Sequence, residues 1–164
     1  MSTFEKLSGL QLTVEGYELE GLRAEVSSGF TRQTTVVHLY GGGHEGLGED
    51  VVYDGVDQER LQQAGPTQPL AGSLTLDEFC ELTDGLDLFG YEPEHGEVSR
   101  LYRRWTFQSA ALDLALRQAG TSLHAALGRE PAPLTFVVSL GLGNPASPES
   151  KRRMISSTRA TAVS

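Results

Sequence analysis

The stretch TVVHLYGGGHEGLGED, residues 35–50, carries the clearest structural signal in this sequence. Its first half belongs to Thr34–Tyr40, a run dense in the β-branched and aromatic side chains that favour strands. Gly41–Gly43 then supplies residues that accept the positive φ angles of a tight turn, and the chain returns over Gly46–Val52. Because two strands joined by a short glycine turn form a hairpin, this stretch predicts part of an antiparallel sheet.

The residues that precede the hairpin extend the same sheet. Residues 10–14 alternate between apolar and polar side chains, which is typical of a half-buried strand. Residues 17–26 keep a strand-like composition, and the small residues of Ser27–Arg32 indicate a loop. Residues 10–52 therefore predict a three-stranded antiparallel meander.

Helical signals fill residues 54–128. Thr75 and Glu78 have the spacing of a capping box, and Gly65 with the proline after it ends a helix. The longest predicted helix covers Val98–Ala119, and its apolar residues occupy more than one face, so we expect it to be buried on several sides. One of its predicted core stripes consists of Val98, Leu101, Trp105, Leu112 and Leu116.

A near-continuous apolar run, Leu134–Leu140 (LTFVVSL), follows the helices. A strand that is apolar at every position is typical of a parallel sheet covered on both faces. From residue 143 onward the sequence is polar, basic and without a period, which predicts a disordered tail. The predicted fold class is α+β: residues 1–133 hold the meander and a helical layer, residues 134–142 form one orphan barrel-type strand, and residues 143–164 are the tail.

Length and charge argue against several kinds of function. The chain has 164 residues, whereas a catalytic (β/α)8 barrel needs about 250. Its net charge of −9 gives no electrostatic reason to bind nucleic acid or an anionic membrane. The sequence shows neither a secretion signal nor a run of about 18 apolar residues. We therefore expect a cytoplasmic protein with no nucleic-acid partner and no membrane partner.

Two motifs together have a counterpart in a known family. The first is FQSAALDLALRQAGTSLHAALG, residues 107–128, in which the matching positions are Ala111, Asp113, Ala115, Leu116, Gly120, Leu123, Leu127 and Gly128. The second is the hairpin, where Gly46, Gly48 and Glu49 form a G-x-G-E ending. Both resemble the N-terminal capping domain of the enolase superfamily, in its mandelate racemase and muconate lactonizing enzyme branch. The resemblance extends over residues 10–142.

The resemblance implies that the chemistry lies elsewhere. In the family, a substrate carboxylate binds a divalent metal, usually magnesium, and a base removes the proton beside that carboxylate. A barrel that follows the capping domain supplies the metal ligands and the acid–base residues. We therefore assign no catalytic residue and no metal ligand to this chain, which is expected to be truncated before the barrel and inactive alone. Mg²⁺ and a small carboxylate substrate are implied only for full-length relatives.

The capping domain contributes loops that shape the substrate site in the family. One such loop corresponds to Ser27–Arg32, and another follows the G-x-G-E strand near Val52–Asp54. The resemblance thus makes four residues candidates for substrate contact by position: Ser27, Ser28, Phe30 and Tyr53.

Other polar clusters have plainer interpretations. Gly41–Gly48 lacks the following lysine of a phosphate-binding loop, so a hairpin turn is expected. The imidazoles and carboxylates near the hairpin are His38, His44, Glu45, Glu49 and Asp50. Because strand alternation places Glu49 and Asp50 on opposite faces, a solvated acidic turn is favoured over a metal site. Asp113 can pair with Arg103, Arg104 or Arg117, of which Arg117 has the favourable i+4 spacing, and it is expected to have a structural role. Cys80, the only cysteine, is expected to be a small buried hydrophobe.

Two rival hypotheses start from the apolar run Leu134–Leu140. A stand-alone protein-interaction module would use this exposed strand to pair with the sheet edge of a partner. Alternatively, a separate chain would provide the barrel and complete the enzyme. A defined hetero-complex is expected from either of these, and aggregation is expected from an orphaned strand.

Overall fold

The computed structural model describes residues 2–26 and 29–135, and within them it holds both sheet and helix. The elements in chain order are α1 (Thr3–Leu7), β1 (Gln11–Val14), β2 (Gly16–Glu25), β3 (Thr31–Gly41), β4 (His44–Asp50), α2 (Gly55–Ala64), β5 (Gly72–Thr75), α3 (Leu76–Gly85), α4 (Glu97–Gln118) and α5 (Leu123–Leu127). The predicted α+β class is confirmed. These elements belong to one compact unit, Met1–Glu130.

The strands β2, β3 and β4 form the predicted three-stranded antiparallel sheet, in that order. The β3–β4 turn pairs Gly41 with His44, and its two central residues, Gly42 and Gly43, have φ angles of 57° and 75°. Two consecutive positive φ angles match the twist of a tight hairpin, which explains why glycine occupies both positions. The hairpin prediction is confirmed.

The first strand of the meander begins later than expected. Residues Gln11–Val14 do not join the three-stranded sheet but form β1, which pairs antiparallel with β5 in a separate two-stranded sheet. The alternation of residues 10–14 correctly predicted a half-buried strand, since Leu12 and Val14 are buried. It could not indicate a partner that lies about 60 residues further along the chain.

The two faces of the three-stranded sheet differ in polarity. The face toward the helices includes Tyr17, Val37 and Leu39, all of which are buried in the core. The opposite face carries exposed carboxylates, among them Glu20 and Glu45. This period-two alternation explains why only one face of the sheet is covered by helices.

Helix α4 lies against β4 through two glycines. A Cβ at Gly46 would come within 2.3 Å of the Ala110 carbonyl oxygen, and one at Gly48 within 2.1 Å of the Thr106 carbonyl oxygen. Both distances are far below van der Waals contact, so only glycine allows this approach. The Leu47 backbone N–H also donates to Asp113 Oδ2 at 3.0 Å.

The large apolar side chains of α4 are buried in its second half only, which corrects the sequence-based prediction. Phe107, Ala111 and Leu114 are buried as expected. The predicted stripe does not continue into the first half, where Val98, Leu101 and Trp105 are 52 %, 49 % and 58 % exposed. The apolar pattern alone could not reveal this because apolar residues on a helix face indicate contact with something, not with which partner.

Local signals for the helix ends agree with the structure. Thr75 and Glu78 form the predicted capping box at the start of α3, and Gly65 caps the end of α2. Asp113 Oδ2 accepts from Arg117 Nε at 3.1 Å, as the i+4 spacing predicts.

Residues 131–135 have neither helix nor strand. Most of the predicted strand Leu134–Leu140, and all of the predicted tail at residues 143–164, lie outside the described residues. Across the part of the chain that is described, no helix has the length and apolar character needed to cross a membrane.

Candidate functional site

Two of the four predicted substrate-contact residues lie side by side. The rings of Phe30 and Tyr53 stack with their centroids 5.7 Å apart and an interplanar angle of 11°. Phe30 directly precedes β3 and Tyr53 follows shortly after β4, and these two strands are antiparallel neighbours. The start of β3 and the end of β4 therefore meet at one end of the sheet. Ser27 and Ser28 lie outside the described residues.

Arg32 adds a positive charge beside this stack. Its guanidinium lies over the Tyr53 ring, 5.1 Å from the centroid, and its Nη2 donates to the Val51 carbonyl oxygen at 2.8 Å. The other terminal nitrogen, Nη1, is buried and has no hydrogen-bond acceptor among the described residues. A buried donor without an acceptor is uncommon in folded proteins.

The first half of α4 and the residue His95 complete an open pocket of about 510 Å³ around Tyr53. The His95 ring meets Tyr53 edge-on, with centroids 6.5 Å apart. From α4, Val98, Tyr102 and Trp105 provide large side chains that are at least 40 % exposed. The remaining lining residues are Arg32, Val51 and Ser99. The pocket is thus mostly apolar and aromatic, and one guanidinium lines it.

A buried ion pair connects the two walls of this pocket. Arg103 Nε donates to Asp50 Oδ2 at 2.9 Å, and both side chains are almost fully buried. The other oxygen of Asp50 accepts from the Val52 backbone N–H at 2.9 Å, one residue before Tyr53. Asp50 therefore holds the segment that carries Tyr53 and, through Arg103, the half of α4 that carries Trp105.

The remaining donors of Arg103 are also used. Nη2 donates to the Asp57 carbonyl oxygen at 2.9 Å, and the guanidinium lies over the Phe89 ring at 3.7 Å. A buried charge requires such complete pairing to offset its desolvation. The expectation that Asp50 belongs to a solvated acidic turn is wrong, since its side chain is fully buried, whereas Glu49 is exposed as expected.

Gln58 of α2 fixes the same segment from a second side. Its Nε2 donates to the carbonyl oxygens of Asp50 and Val52, both at 3.0 Å, and its Oε1 accepts from Thr35 Oγ1 at 2.7 Å. All three contacts are buried. The backbone between β4 and Tyr53 is therefore held rigidly, which suits a residue that must present its ring in one position.

The titratable groups that the structure describes outside the pocket do not indicate a second site. His38 contacts Glu45 at 2.7 Å and Glu20 at 3.2 Å on the exposed face of the sheet, and its hydrogen bond with Glu45 raises its pKa above the ordinary value. Burial raises the pKa of the Cys80 thiol, which makes it a weak nucleophile at neutral pH. Within residues 2–26 and 29–135, no three His, Cys, Asp or Glu side chains are placed to hold a metal ion.

Sequence reasoning had named Phe30 and Tyr53 but not the rest of the pocket. Arg32 stood at the edge of the predicted loop, and His95 was not among the candidates. Trp105 was assigned to the core because it falls at helical spacing with other apolar residues. The usable signal was that Tyr102 and Trp105, both aromatic, follow the polar loop at Gly90–Glu97 on the first turns of the helix.

Comparison with known proteins gives one match. Residues 5–126 match the family model described as "Domain of unknown function (DUF8230) N-terminal domain". The match covers all the elements from β1 to α4. No curated protein and no solved structure matches the chain.

Proposed function

The chain belongs to the DUF8230 N-terminal domain family. From the sequence resemblance of residues 10–142, we propose that its compact unit is the capping module of an enolase-superfamily enzyme. The module would belong to the mandelate racemase and muconate lactonizing enzyme branch. It would cover the substrate bound by a (β/α)8 barrel and shape the part of the site that discriminates between substrates. The barrel, on the same polypeptide or on another one, would supply the reacting groups.

The observation that carries this proposal is the stack of Phe30 on Tyr53. The resemblance names two loops far apart in sequence as substrate-shaping, and they are adjacent in space. Exposed fractions of 42 % for Phe30 and 62 % for Tyr53 leave both rings accessible to a ligand or a second domain. Exposed aromatic rings on a rigid backbone are the kind of surface that such contacts use.

The positions that carry the resemblance also have packing roles that support the proposal. Ala111 and Ala115 are fully buried, and Gly46 and Gly48 allow the close approach of α4 to β4. Gly120 and Gly128 follow α4 and α5 with φ angles of 61° and 63°. The motif thus specifies a close helix–strand contact with glycine at the helix ends.

The proposal assigns the metal and the base to the barrel and the contacts with the substrate to this module. Removal of a proton beside a carboxylate requires a cation that stabilises the charge and a base within reach of the proton. The described carboxylates and imidazoles do not converge on a site of three. The resemblance implies that the barrel holds magnesium and the base, and this module would orient and select the substrate.

The proposal is tested by reconstitution. The purified chain is mixed with a barrel of this branch from the same genome, stripped of any capping domain, and the mass of the mixture is measured by analytical ultracentrifugation. We expect a 1:1 complex that Tyr53→Asp or Trp105→Asp weakens at least about tenfold, since a buried unpaired charge costs more than 1.4 kcal/mol.

A matched control changes the opposite face of the sheet. Glu20→Lys reverses an exposed charge on that face and should leave the complex intact. Absence of any complex, or a complex that responds to Glu20→Lys and not to Tyr53→Asp, would contradict the capping function. The second outcome would instead favour a stand-alone interaction module.

A further inference from the structure

We infer that residues 91–95 form a strap that Asp57 of α2 holds closed against the Tyr53 pocket. The strap brings His95 into the pocket wall, and release of its hydrogen bonds to Asp57 opens that wall. It is separate from the two loops that the resemblance names, because it lies between α3 and α4. The inference deepens the proposed function, on which it rests to the extent that the pocket is the surface offered to the substrate and the barrel.

The backbone around the strap has a hinge at each end. Residues 86–96 have neither helix nor strand, and two glycines flank the strap, Gly90 with a φ angle of 71° and Gly96 with one of 52°. Glycine accepts large changes of φ and ψ, which is what a hinge requires. Gly96 is also the N-cap of α4, and no side chain caps the helix there. The strap can therefore turn without breaking a side-chain cap at the start of α4.

Asp57 is the buried anchor of the strap. This residue is only 3 % exposed. Its Oδ1 accepts from the Tyr91 hydroxyl at 2.9 Å, and its Oδ2 accepts from the Glu94 backbone N–H at 3.4 Å. Hydrogen bonds to a carboxylate are stronger than those between neutral groups. One side chain of α2 therefore binds the first residue of the strap and the residue directly before His95.

Two other attachments of the strap lie at the surface. Arg100 pairs with Glu92 at 2.8 Å, but the Glu92 side chain is 77 % exposed. The guanidinium of Arg60, an exposed residue, lies over the Tyr91 ring at 4.5 Å. Solvent screens such contacts, so each contributes little by itself. Pro93 is buried and gives the closed strap an apolar contact. The hydrogen bonds to Asp57 are therefore the polar contacts most able to keep the strap closed.

The closed strap determines what His95 meets. The His95 ring lies edge-on to Tyr53, with centroids 6.5 Å apart. Because Glu94 is bound to Asp57, the position of His95 depends on that hydrogen bond. Arg103, whose ion pair holds the segment that carries Tyr53, also donates to the Asp57 carbonyl oxygen at 2.9 Å. Asp57 is thus a positioning residue for the pocket wall, and it acts through His95.

Proteolysis measures how often the strap opens. A glutamate-specific protease can cut after Glu92 and Glu94, and mass spectrometry identifies the cut. Tyr91→Phe removes the hydroxyl that binds Asp57 and keeps the ring. We expect it to raise the rate of cleavage in the strap at least about fivefold, since it removes a hydrogen bond to a carboxylate. Asp57→Ala, which removes both hydrogen bonds, should raise the rate further.

A matched control separates opening of the strap from loss of overall stability. Thr75→Ala removes the N-cap of α3, so it destabilises the fold without touching the strap. At low urea concentrations its strap should be cut at the wild-type rate. Cleavage of the Asp57→Ala strap should also depend only weakly on urea, because local opening exposes much less surface than global unfolding does.

Proton NMR reports the position of His95 itself. The Tyr53 ring shifts the His95 ring resonances while the two rings are in contact, so Tyr53→Leu should move these resonances in the otherwise wild-type chain. In the Asp57→Ala background the same substitution should move them less, whereas in the Thr75→Ala background it should move them as far as in the wild type. His95→Gln identifies the resonances among the four histidines.

The inference is overturned if Tyr91→Phe and Asp57→Ala leave the cleavage rate unchanged, or if Thr75→Ala raises it equally. It is also overturned if His95 responds to Tyr53→Leu equally with and without Asp57. If circular dichroism shows that Asp57→Ala is unfolded, Asp57→Asn replaces it in all three measurements. The chain alone suffices for these experiments. A strap that opens as predicted without a barrel complex removes only the capping function, and a complex with an unresponsive strap removes only this inference.

Discussion

The two halves of α4 meet the rest of the molecule in different ways. The half Phe107–Gln118 places small and medium side chains against β4, where Gly46 and Gly48 leave room for the helix backbone. The half Glu97–Thr106 is anchored largely by the buried side chain of Arg103 and turns its large residues outward. One helix therefore serves as core at one end and as pocket wall at the other.

This difference teaches that hydrophobicity alone does not determine which part of a helix is buried. The size of the side chains on the strand that packs against the helix also matters. Glycine on the strand permits a close approach, which removes alanine-sized side chains from water. Where a charged anchor sets the distance, large neighbouring side chains stay accessible. Three pairs of substitutions test this contrast, and a fourth test addresses the sheet face away from α4.

Removal of the charged anchor should have the largest effect. Arg103→Gln leaves Asp50 buried without a cationic partner, so the free energy of unfolding should fall by about 3–5 kcal/mol. In the other half, Arg117→Gln removes an exposed pair and should cost less than about 1 kcal/mol. Urea unfolding followed by circular dichroism measures both, and equal losses would contradict the contrast.

Filling the space at β4 should have the next largest effect. Gly48→Ala places a methyl group 2.1 Å from the Thr106 carbonyl oxygen, and α4 must move away, at a cost of about 1–3 kcal/mol. Gly85→Ala serves as the control, because a Cβ at this helical position meets nothing within 4 Å. The control should be neutral or slightly stabilising in the same unfolding experiment. A neutral Gly48→Ala would show that the helix does not depend on this close contact.

A smaller effect is expected for His38, on the sheet face away from α4. Its hydrogen bond with Glu45 raises its pKa in the folded state, so its stabilisation is complete below about pH 6.5 and is lost as the pH rises through the raised value. The difference in unfolding free energy between wild type and His38→Gln should therefore be larger at pH 5.5 than at pH 9, and below about 1 kcal/mol. A difference in unfolding free energy that is the same at both pH values would refute the predicted contribution of the His38–Glu45 hydrogen bond.

The smallest effect on stability is expected at the outward face of α4. Trp105→Ala should change the free energy of unfolding by no more than about 0.5 kcal/mol, since the side chain is 58 % exposed. Phe107→Ala, two residues later and 1 % exposed, should cost about 3–5 kcal/mol. A thermal unfolding scan of the two variants compares them directly. A comparable loss in both would mean that Trp105 belongs to the core.

Local signals in the sequence predicted much of the fold. The glycine turn at Gly42 and Gly43, the capping box at Thr75 and the Asp113–Arg117 pair all depend on residues within four positions of one another. Such signals can be read from one sequence because the interacting groups are neighbours in it. The pairing of β1 with β5 could not be predicted, since no local feature links residues about 60 positions apart.

The candidate site was less predictable than the fold. Phe30 and Tyr53 were named through a family resemblance and not through their own chemistry. Arg103 and Asp50 were missed because a buried ion pair joins residues that each look like ordinary surface charges in the sequence. Trp105 was placed in the core because a helical stripe looks the same whether it faces a core or a ligand.

The most direct test of the proposed capping function is the rate of proton exchange beside the carboxylate of small carboxylic acids, measured by proton NMR in D₂O with Mg²⁺. We predict no exchange above background with the chain alone, exchange when it is joined with the proposed barrel, and a slower rate when the chain carries Tyr53→Ala. Exchange catalysed by the chain alone, or exchange by the joined protein that Tyr53→Ala leaves unchanged, would contradict the assignment.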